Sequence, residues 1–261
     1  MSSQIYLSVI LPAYNEGENI YANILHICDA LHGYDFELIV VDDGSVDNTY
    51  SKAKRAKEEG YPVQAILQRE NLGKGATLFH GFEFTSGERI AFLDADLEIA
   101  PDYLLDLLKA MDDTGADVVA GVKDMSDNDF PWARQMMSKI YRHSVAFLFG
   151  LSITDTQTGI KLFKREVLEM TVPRLSISRF AFDIELLLAA IRFGFNIVEY
   201  PVKIIYSRTG KLGRMNTGNI LGSFRDTLSI YARASFWRWL EPGRSMQIWM
   251  LLFVAGIFFF I

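Results

Sequence analysis

The sequence predicts an α/β domain with a mainly parallel β-sheet flanked by helices, and three observations indicate this fold class. Short apolar runs of strand length alternate with longer segments whose apolar residues recur at helical spacing. The chain of 261 residues is long enough for one such domain and an appended segment. Polar clusters follow the ends of several predicted strands, and parallel sheets bind ligands at those ends. We therefore expect a ligand site along the carboxyl ends of the strands.

The first predicted strand covers residues 6–11 and stops at Pro12, which starts a polar loop. Asn15 is the predicted N-cap of the following helix, and Glu18 stands three residues later in the capping-box position. Within residues 20–31, apolar side chains recur at intervals of four, three and four residues. This spacing predicts a helix that buries one face against the sheet.

The same alternation continues along the chain, although each element is marked by a different signal. Pro101 favours the start of a helix, whereas Gly73 and Gly75 indicate a tight turn, because the spacing of a phosphate-binding loop is absent around Lys74. A basic run at residues 52–57 is interpreted as the solvated face of a helix. The further predicted strands cover residues 36–41, 63–67, 90–93, 117–121 and 160–163.

Two carboxylates follow the strand at residues 90–93, in the segment Asp94-Ala95-Asp96. Like charges at this spacing beyond a buried strand are costly to hold together unless a cation lies between them. Mg²⁺ and Mn²⁺ prefer oxygen ligands and share their coordination shell with the phosphates of a substrate. Glu98 can add a third oxygen. The segment therefore predicts a divalent metal site, and the alternative is an exposed acidic turn.

Charge is distributed unevenly along the chain. Residues 1–130 carry 24 acidic and 9 basic side chains, a net charge of −15, whereas residues 131–261 carry 8 acidic and 17 basic ones, a net charge of +9. A basic second half indicates an anionic partner or surface. Because its basic residues are interleaved with long apolar stretches, a membrane surface is favoured over nucleic acid.

Cysteine and histidine usage excludes two other kinds of site. Cys28 is the only cysteine, so the chain forms no intramolecular disulfide. Its place among the apolar positions of a predicted helix indicates a buried structural thiol. The four histidines show no close metal-ligand spacing, and no zinc site is predicted.

A last predicted helix covers residues 182–193 and carries two acidic residues, Asp183 and Glu185. We interpret these carboxylates as helix caps or as ion-pair partners of Arg179 and Arg192. A catalytic role is the alternative.

Six motifs in a fixed order give the chain a resemblance to a known family. They are LPAYNEGENI at residues 11–20, VVDDGSVDNT at 40–49, NLGKGATL at 71–78, FLDADLE at 92–98, DTQTGIKLF at 155–163 and FAFDIELL at 180–187. Over residues 8–207 the chain resembles the nucleotide-sugar-binding domain of the family 2 glycosyltransferases, which have the Rossmann-like GT-A fold. Within that family it is most similar to the dolichyl-phosphate and polyprenyl-phosphate hexosyltransferases, and the last two motifs favour the glucosyl branch.

The resemblance implies roles for residues at the strand ends. The residues implied to line the nucleoside pocket are Pro12, Tyr14, Glu16 and Asp42. Asp94 is implied to contact the ribose and diphosphate and, together with Asp96 and Glu98, to bind the metal. Related enzymes often carry glutamine at the position of Glu98, so its charge is expected to alter metal preference. The resemblance also implies that Lys74 and Gln157 lie beside the donor. For Lys74 the alternative is an ordinary solvated position in the loop.

Basic residues further along the chain are implied to hold an acceptor phosphate. Arg134 and Ser138 lie four residues apart on a predicted helix and match an acceptor-phosphate pair. Lys123 stands where another basic residue is expected, and Arg208 matches a mobile segment that closes on the phosphates. Asp155 borders the sugar and the acceptor, and it is the candidate base if the acceptor is a hydroxyl. For each cation the alternative is an ordinary surface position.

Three regions are expected in the chain: a catalytic domain at residues 1–215, an interfacial amphipathic helix at 216–243 and a hydrophobic membrane segment at 244–261. The helix combines aromatic and aliphatic residues with arginines, and a core or oligomer-interface helix is the alternative. The last apolar run falls short of the ~20 residues that span a bilayer, so a truncated membrane segment is expected. The flanking arginines place the catalytic domain on the cytoplasmic face.

Together these features predict a membrane-associated, inverting hexosyltransferase that requires Mg²⁺ or Mn²⁺. The expected donor is a nucleoside diphosphate sugar, UDP-glucose before GDP-mannose, and the expected acceptor is a polyprenyl or dolichyl phosphate. A homo-oligomeric state is left open. One alternative is a family 2 enzyme that acts on a hydroxyl of a glycolipid or polysaccharide. Another is a silent relative that binds nucleotide sugar, although the intact Asp94-Ala95-Asp96 segment argues against it.

Overall fold

The structure is a computed structural model that describes residues 5–123, 156, 158–175 and 182–204. In these ranges seven strands form one sheet with the order β3-β2-β1-β4-β6-β5-β7. The strands are β1 Leu7–Ala13, β2 Phe36–Asp42, β3 Val63–Leu67, β4 Arg89–Leu93, β5 Val118–Lys123, β6 Ile160–Lys164 and β7 Ile197–Val202. Only β6 runs antiparallel to its neighbours among these strands, so the predicted mainly parallel sheet is confirmed. The seventh strand was not predicted.

Helices cover both faces of the sheet. They are α1 Ile20–Ala30, α2 Thr49–Glu58, α3 Lys74–Phe82, α4 Tyr103–Thr114, α5 Arg165–Thr171 and α6 Phe182–Arg192. Buried residues of α1, α2 and α4 pack in one apolar cluster on one face, and those of α3, α5 and α6 pack in a second cluster on the other face. The predicted flanking helices are therefore confirmed, and the sheet is the middle of three layers.

The helix patterns read from the sequence agree with the burial of the side chains. The apolar stripe of α1 is fully buried at Ile20, Ile24 and Ile27. In α2 the basic run is largely exposed and forms ion pairs along the helix, including Lys54–Glu58 at 3.4 Å. Cys28 is half-buried against the core, and burial raises the pKa of its thiol to about 11, which fits a structural thiol that stays protonated.

Two details at the end of the first strand differ from prediction. Strand β1 continues through Pro12 to Ala13, because β4 pairs with β1 only as far as Ile10 and the missing N–H of Pro12 leaves no gap in that ladder. Asn15 is not the helix N-cap, since α1 begins at Ile20. Its backbone is left-handed, with φ of 54°, and its side-chain Oδ1 accepts a hydrogen bond from Val46 N at 3.0 Å.

Residues 205–261 lie outside the described residues, and both predicted membrane-associating regions fall within them. Of the helices that the structure does describe, none has the length and apolar character needed to cross a bilayer.

Candidate active site

Four loops meet at the carboxyl ends of β1, β2, β3 and β4, as the sequence predicts for a parallel sheet. The loop after β1 is joined to the loop after β2, where Asn15 N donates to Ser45 Oγ at 2.8 Å. The loop after β2 is joined to the loop after β3, where Leu72 N donates to Asp43 Oδ1 at 2.7 Å. The loop after β3 reaches the end of β4 through Lys74. These hydrogen bonds make one continuous polar surface from four separate motifs.

The loop after β1 carries three of the residues predicted to line the nucleoside pocket. Pro12 and Tyr14 are half-buried, whereas Glu16 is only 8% exposed. Glu16 N donates to Thr49 Oγ1 at 2.9 Å, which fixes the loop against the start of α2. The structure therefore brings Pro12, Tyr14 and Glu16 together beside the end of β2.

Asp42, the last residue of β2, is 1% exposed and presents one unpaired oxygen. Its Oδ1 accepts a hydrogen bond from Ser45 N at 2.8 Å, while its Oδ2 is buried and has no hydrogen-bond partner. A buried carboxylate oxygen without a partner is costly, so the site gains when a ligand donates a hydrogen bond to it. This geometry fits the predicted role of Asp42 in binding a nucleoside.

The neighbouring Asp43 belongs to the VVDDGSVDNT motif but was assigned no role from the sequence, yet it organises the loop after β3. Its carboxylate accepts from Leu72 N at 2.7 Å and from Gly73 N at 3.0 Å. Gly44 follows with φ of +70°, and a Cβ there would lie 2.7 Å from the carbonyl carbon of Glu70. The two loops therefore pack backbone against backbone, and the side chain of Asp43 fixes where α3 begins.

Lys74 is the first residue of α3, and its Nζ lies 2.5 Å from Asp94 Oδ1. Burial alone would lower the pKa of Lys74, but the attraction of Asp94, then of Asp183 and Asp96, outweighs it and raises the pKa. The side chain is therefore a fixed cation within a group of carboxylates at neutral pH. Gly73, with φ of +95°, supplies the predicted tight turn just before it.

The turn after β4 holds the two carboxylates that predict a metal site. Leu97 N donates to Asp94 O at 3.2 Å, and Glu98 N donates to Asp96 Oδ1 at 3.3 Å. Leu97 has a left-handed backbone, with φ of 49°. Asp94 and Asp96 are half-buried, and Glu98 is exposed. The turn therefore keeps its acidic side chains at the rim of the site.

The donor atoms of this turn fit a hard divalent cation. Within residues 5–123 and the shorter described segments, no three acidic, histidine or cysteine side chains are grouped to hold a metal by themselves. One or two carboxylates completed by substrate phosphates is, however, the usual shell of Mg²⁺. The ion pair between the ammonium group of Lys74 and the carboxylate of Asp94 shows that this carboxylate already accommodates a positive charge.

A buried ion pair lies behind the Lys74–Asp94 contact. Lys161 Nζ is 2.7 Å from Asp183 Oδ1, and the two side chains are 2% and 7% exposed. Burial raises the pKa of Asp183, against the opposing attraction of Lys161 and Lys74. The structure thus gives Asp183 an ion-pair partner that the sequence did not predict, because the sheet places Lys161 of β6 under the start of α6; Arg179, one of the two predicted arginine partners, lies outside the described residues. Lys161 was missed since a lysine in a short apolar strand carries no local signal.

Of the acceptor-side residues, the structure describes Lys123 alone. It is the half-buried last residue of β5 and lies opposite Val202 of β7. The remaining predicted site residues lie outside the described ranges: Arg134, Ser138, Asp155, Gln157 and Arg208. Gly159, two residues after Gln157, lies against Asp94 at the end of β4, because β6 runs antiparallel to that strand.

Comparisons with known proteins agree with this arrangement. A family model described as glycosyl transferase family 2 matches residues 8–171, which include all the described motifs of the first four strand ends. The chain is 33% identical to polyprenol monophosphomannose synthase of Mycolicibacterium smegmatis over 223 residues, which are 81% of this chain and 82% of that enzyme. It is 30% identical to dolichyl-phosphate beta-glucosyltransferase of Saccharomyces cerevisiae over 225 residues, which are 76% of this chain and 66% of that enzyme.

A solved structure also resembles the fold. Glucosyl-3-phosphoglycerate synthase from Mycobacterium tuberculosis, in complex with Mn²⁺, uridine diphosphate and glucosyl-3-phosphoglycerate, superposes with a TM-score of 0.64. The two chains are 23% identical, and the superposition covers 86% of this chain and 78% of the other. This likeness confirms the predicted α/β fold class.

Proposed function

The chain belongs to glycosyl transferase family 2, and we propose that it moves a hexose from a nucleoside diphosphate sugar to a polyprenyl or dolichyl phosphate at a membrane. The names of the two relatives given above describe mannosyl and glucosyl transfer to lipid phosphates, which supports sugar transfer to a lipid phosphate as the class of reaction. UDP-glucose is our first choice of donor and GDP-mannose the second.

The meeting of four polar loops at one edge of the sheet is the observation that carries the proposal. Asp42 offers a buried, unpaired oxygen that suits an N–H group of a base. Lys74, held 2.5 Å from Asp94, offers a fixed cation for a diphosphate. A nucleoside and its diphosphate thus find complementary groups on neighbouring loops. Pro12, Tyr14 and Glu16 complete the wall on the nucleoside side.

Charge neutralisation is the main catalytic task of the donor side. Mg²⁺ or Mn²⁺, held by Asp94, Asp96 and Glu98, would stabilise the negative charge of the departing diphosphate. Lys74, the first residue of α3, adds a positive charge from the opposite loop. Both contributions act most strongly as the sugar leaves, when the diphosphate gains charge.

The acceptor needs positioning more than it needs a base. A lipid phosphate has a second pKa of about 6, so it is largely dianionic at neutral pH and has no proton to lose. We assign Arg134, Ser138, Lys123 and Arg208 to holding this phosphate in line with the sugar. Asp155 would become essential only if the acceptor were a hydroxyl. We propose that the amphipathic and hydrophobic regions from residue 216 onward hold the domain at the cytoplasmic face of the membrane.

A donor screen tests the proposal. Purified full-length protein is mixed with a short polyprenyl phosphate, MnCl₂ or MgCl₂, and either UDP-glucose or GDP-mannose, and the lipid products are identified by mass spectrometry. We expect a glycosylated lipid phosphate with one donor, formed at least about tenfold faster than with the other because base contacts discriminate between nucleotides. If neither these donors nor other nucleotide sugars give a lipid product, the proposal is wrong.

A further inference from the structure

The ion pair between Lys161 and Asp183 has no role in the reaction as described so far. Among the described residues it is the one Lys–Asp pair in which both side chains are buried, at 2% and 7% exposure. Such pairs add little net stability, because the cost of removing two charges from water offsets their attraction. Apolar side chains of similar volume would fill the same space at least as well. The charges therefore point to a task other than filling the core.

One side of this pair supports Asp94. Lys161 Nζ donates to Thr158 O at 2.7 Å, in addition to its contact with Asp183. This bond fixes the chain just before β6, where Gly159 lies so close to Asp94 that an added Cβ would be 2.2 Å from its Oδ2. Lys161 thus holds the backbone surface on which the carboxylate of Asp94 rests.

The other side of the pair anchors Lys161. Asp183 Oδ1 accepts a hydrogen bond from Lys161 Nζ at 2.7 Å, and Asp183 lies in the first turn of α6. Asp183 thus ties the lysine that holds the backbone beside Asp94 to α6.

We propose that Lys161 and Asp183 are positioning residues for the donor site: Lys161 fixes the support of Asp94, and Asp183 fixes Lys161. This inference rests on the proposed function, since it assumes that the Lys74–Asp94 contact receives a nucleoside diphosphate. It predicts that the pair matters for donor binding even though both side chains are almost fully buried.

A double-mutant cycle tests this inference through nucleotide binding. Dissociation constants of UDP and of GDP, each with MnCl₂, are measured by calorimetry for the wild type, Lys161→Met, Asp183→Asn and the double variant. We expect Lys161→Met and Asp183→Asn each to weaken binding of the preferred nucleotide at least about fivefold. The effect of Asp183→Asn should largely disappear in the Lys161→Met background, because the two residues act together.

Two further variants separate positioning from a purely structural role. Lys161→Met combined with Asp183→Leu removes both charges but keeps an apolar filling, so we expect a melting temperature close to that of the wild type with weakened nucleotide binding. Lys164→Met is the matched control, since Lys164 lies on the same strand and pairs with Asp117 at 2.7 Å at the opposite end. It should leave nucleotide binding unchanged.

Three results would overturn the inference. They are wild-type nucleotide binding in the folded Lys161→Met/Asp183→Leu variant, an equal effect of Asp183→Asn with and without Lys161, and failure of every variant of the pair to fold. If the wild type binds neither UDP nor GDP, the proposed function fails as well, so the two failures are told apart by the wild-type measurement alone.

Discussion

Replacing Asp96 by alanine should abolish metal-dependent sugar transfer while the protein remains folded. Asp96 is half-buried in the turn after β4, so its loss is expected to change the free energy of unfolding by less than about 1 kcal/mol. In the proposed mechanism the same substitution removes an oxygen ligand of the metal that stabilises the departing diphosphate. We expect kcat/KM to fall at least about 100-fold, as when other groups that stabilise charge in a transition state are removed.

The measurement is the initial rate of transfer at several concentrations of Mg²⁺ and Mn²⁺, with circular dichroism to confirm folding. Asp102→Ala is the matched control, because Asp102 is an exposed aspartate next to the same turn and makes no capping hydrogen bond. It should behave like the wild type. Unchanged activity of Asp96→Ala, or full activity of the wild type in excess chelator, would contradict the role of Asp96.

The substitution Gly159→Ala should impair donor binding strongly with little loss of stability. An added Cβ would lie 2.2 Å from Asp94 Oδ2 and 2.7 Å from its Cγ, so the carboxylate has to rotate away. Because Asp94 is at the rim of the site, this movement is expected to cost little in folding. It does, however, break the 2.5 Å contact with Lys74, and we expect at least about a tenfold weaker affinity for the nucleotide.

Gly87→Ala provides the contrasting control, measured by the same nucleotide titration and thermal unfolding. A Cβ on Gly87 would lie 2.7 Å from Ser8 N, a backbone atom at the other end of the sheet. That variant should lose about 1–3 kcal/mol of stability yet bind nucleotide normally when folded. If Gly159→Ala binds nucleotide as well as the wild type, the close support of Asp94 by the chain before β6 has no part in donor binding.

The sequence predicts the sheet and the place of the site for a simple physical reason. Strands of a parallel sheet point the same way, so motifs that follow each strand must meet at one edge. This is why the segments around Asp42 and Asp94, more than 50 residues apart in the chain, are joined through Asp43 and Lys74 in the structure. The buried face of α1 could also be predicted from the sequence, since the spacing of its apolar residues determines which face of the helix packs against the sheet.

Other features depend on which strands become neighbours, and local sequence does not encode that. Strand β6 inserts antiparallel between β4 and β5, which brings Lys161 opposite Phe92 and Gly159 against Asp94. The Lys161–Asp183 pair follows from that placement and from the packing of α6. In the same way, Pro12 is tolerated inside β1 only because pairing with β4 has already ended. Such contacts are set by tertiary packing, and the periodicity of apolar residues in the sequence does not predict them.

The identity of the bond formed tests the central claim most directly. The protein is incubated with a polyprenyl phosphate, the matching polyprenol and the preferred nucleotide sugar, and the product is examined by phosphorus and proton NMR. Our account predicts that the lipid phosphomonoester becomes a phosphodiester carrying the hexose with inverted anomeric configuration, while the polyprenol is untouched. A product in which the sugar is attached to the polyprenol hydroxyl, or retains its configuration on the phosphate, would contradict it.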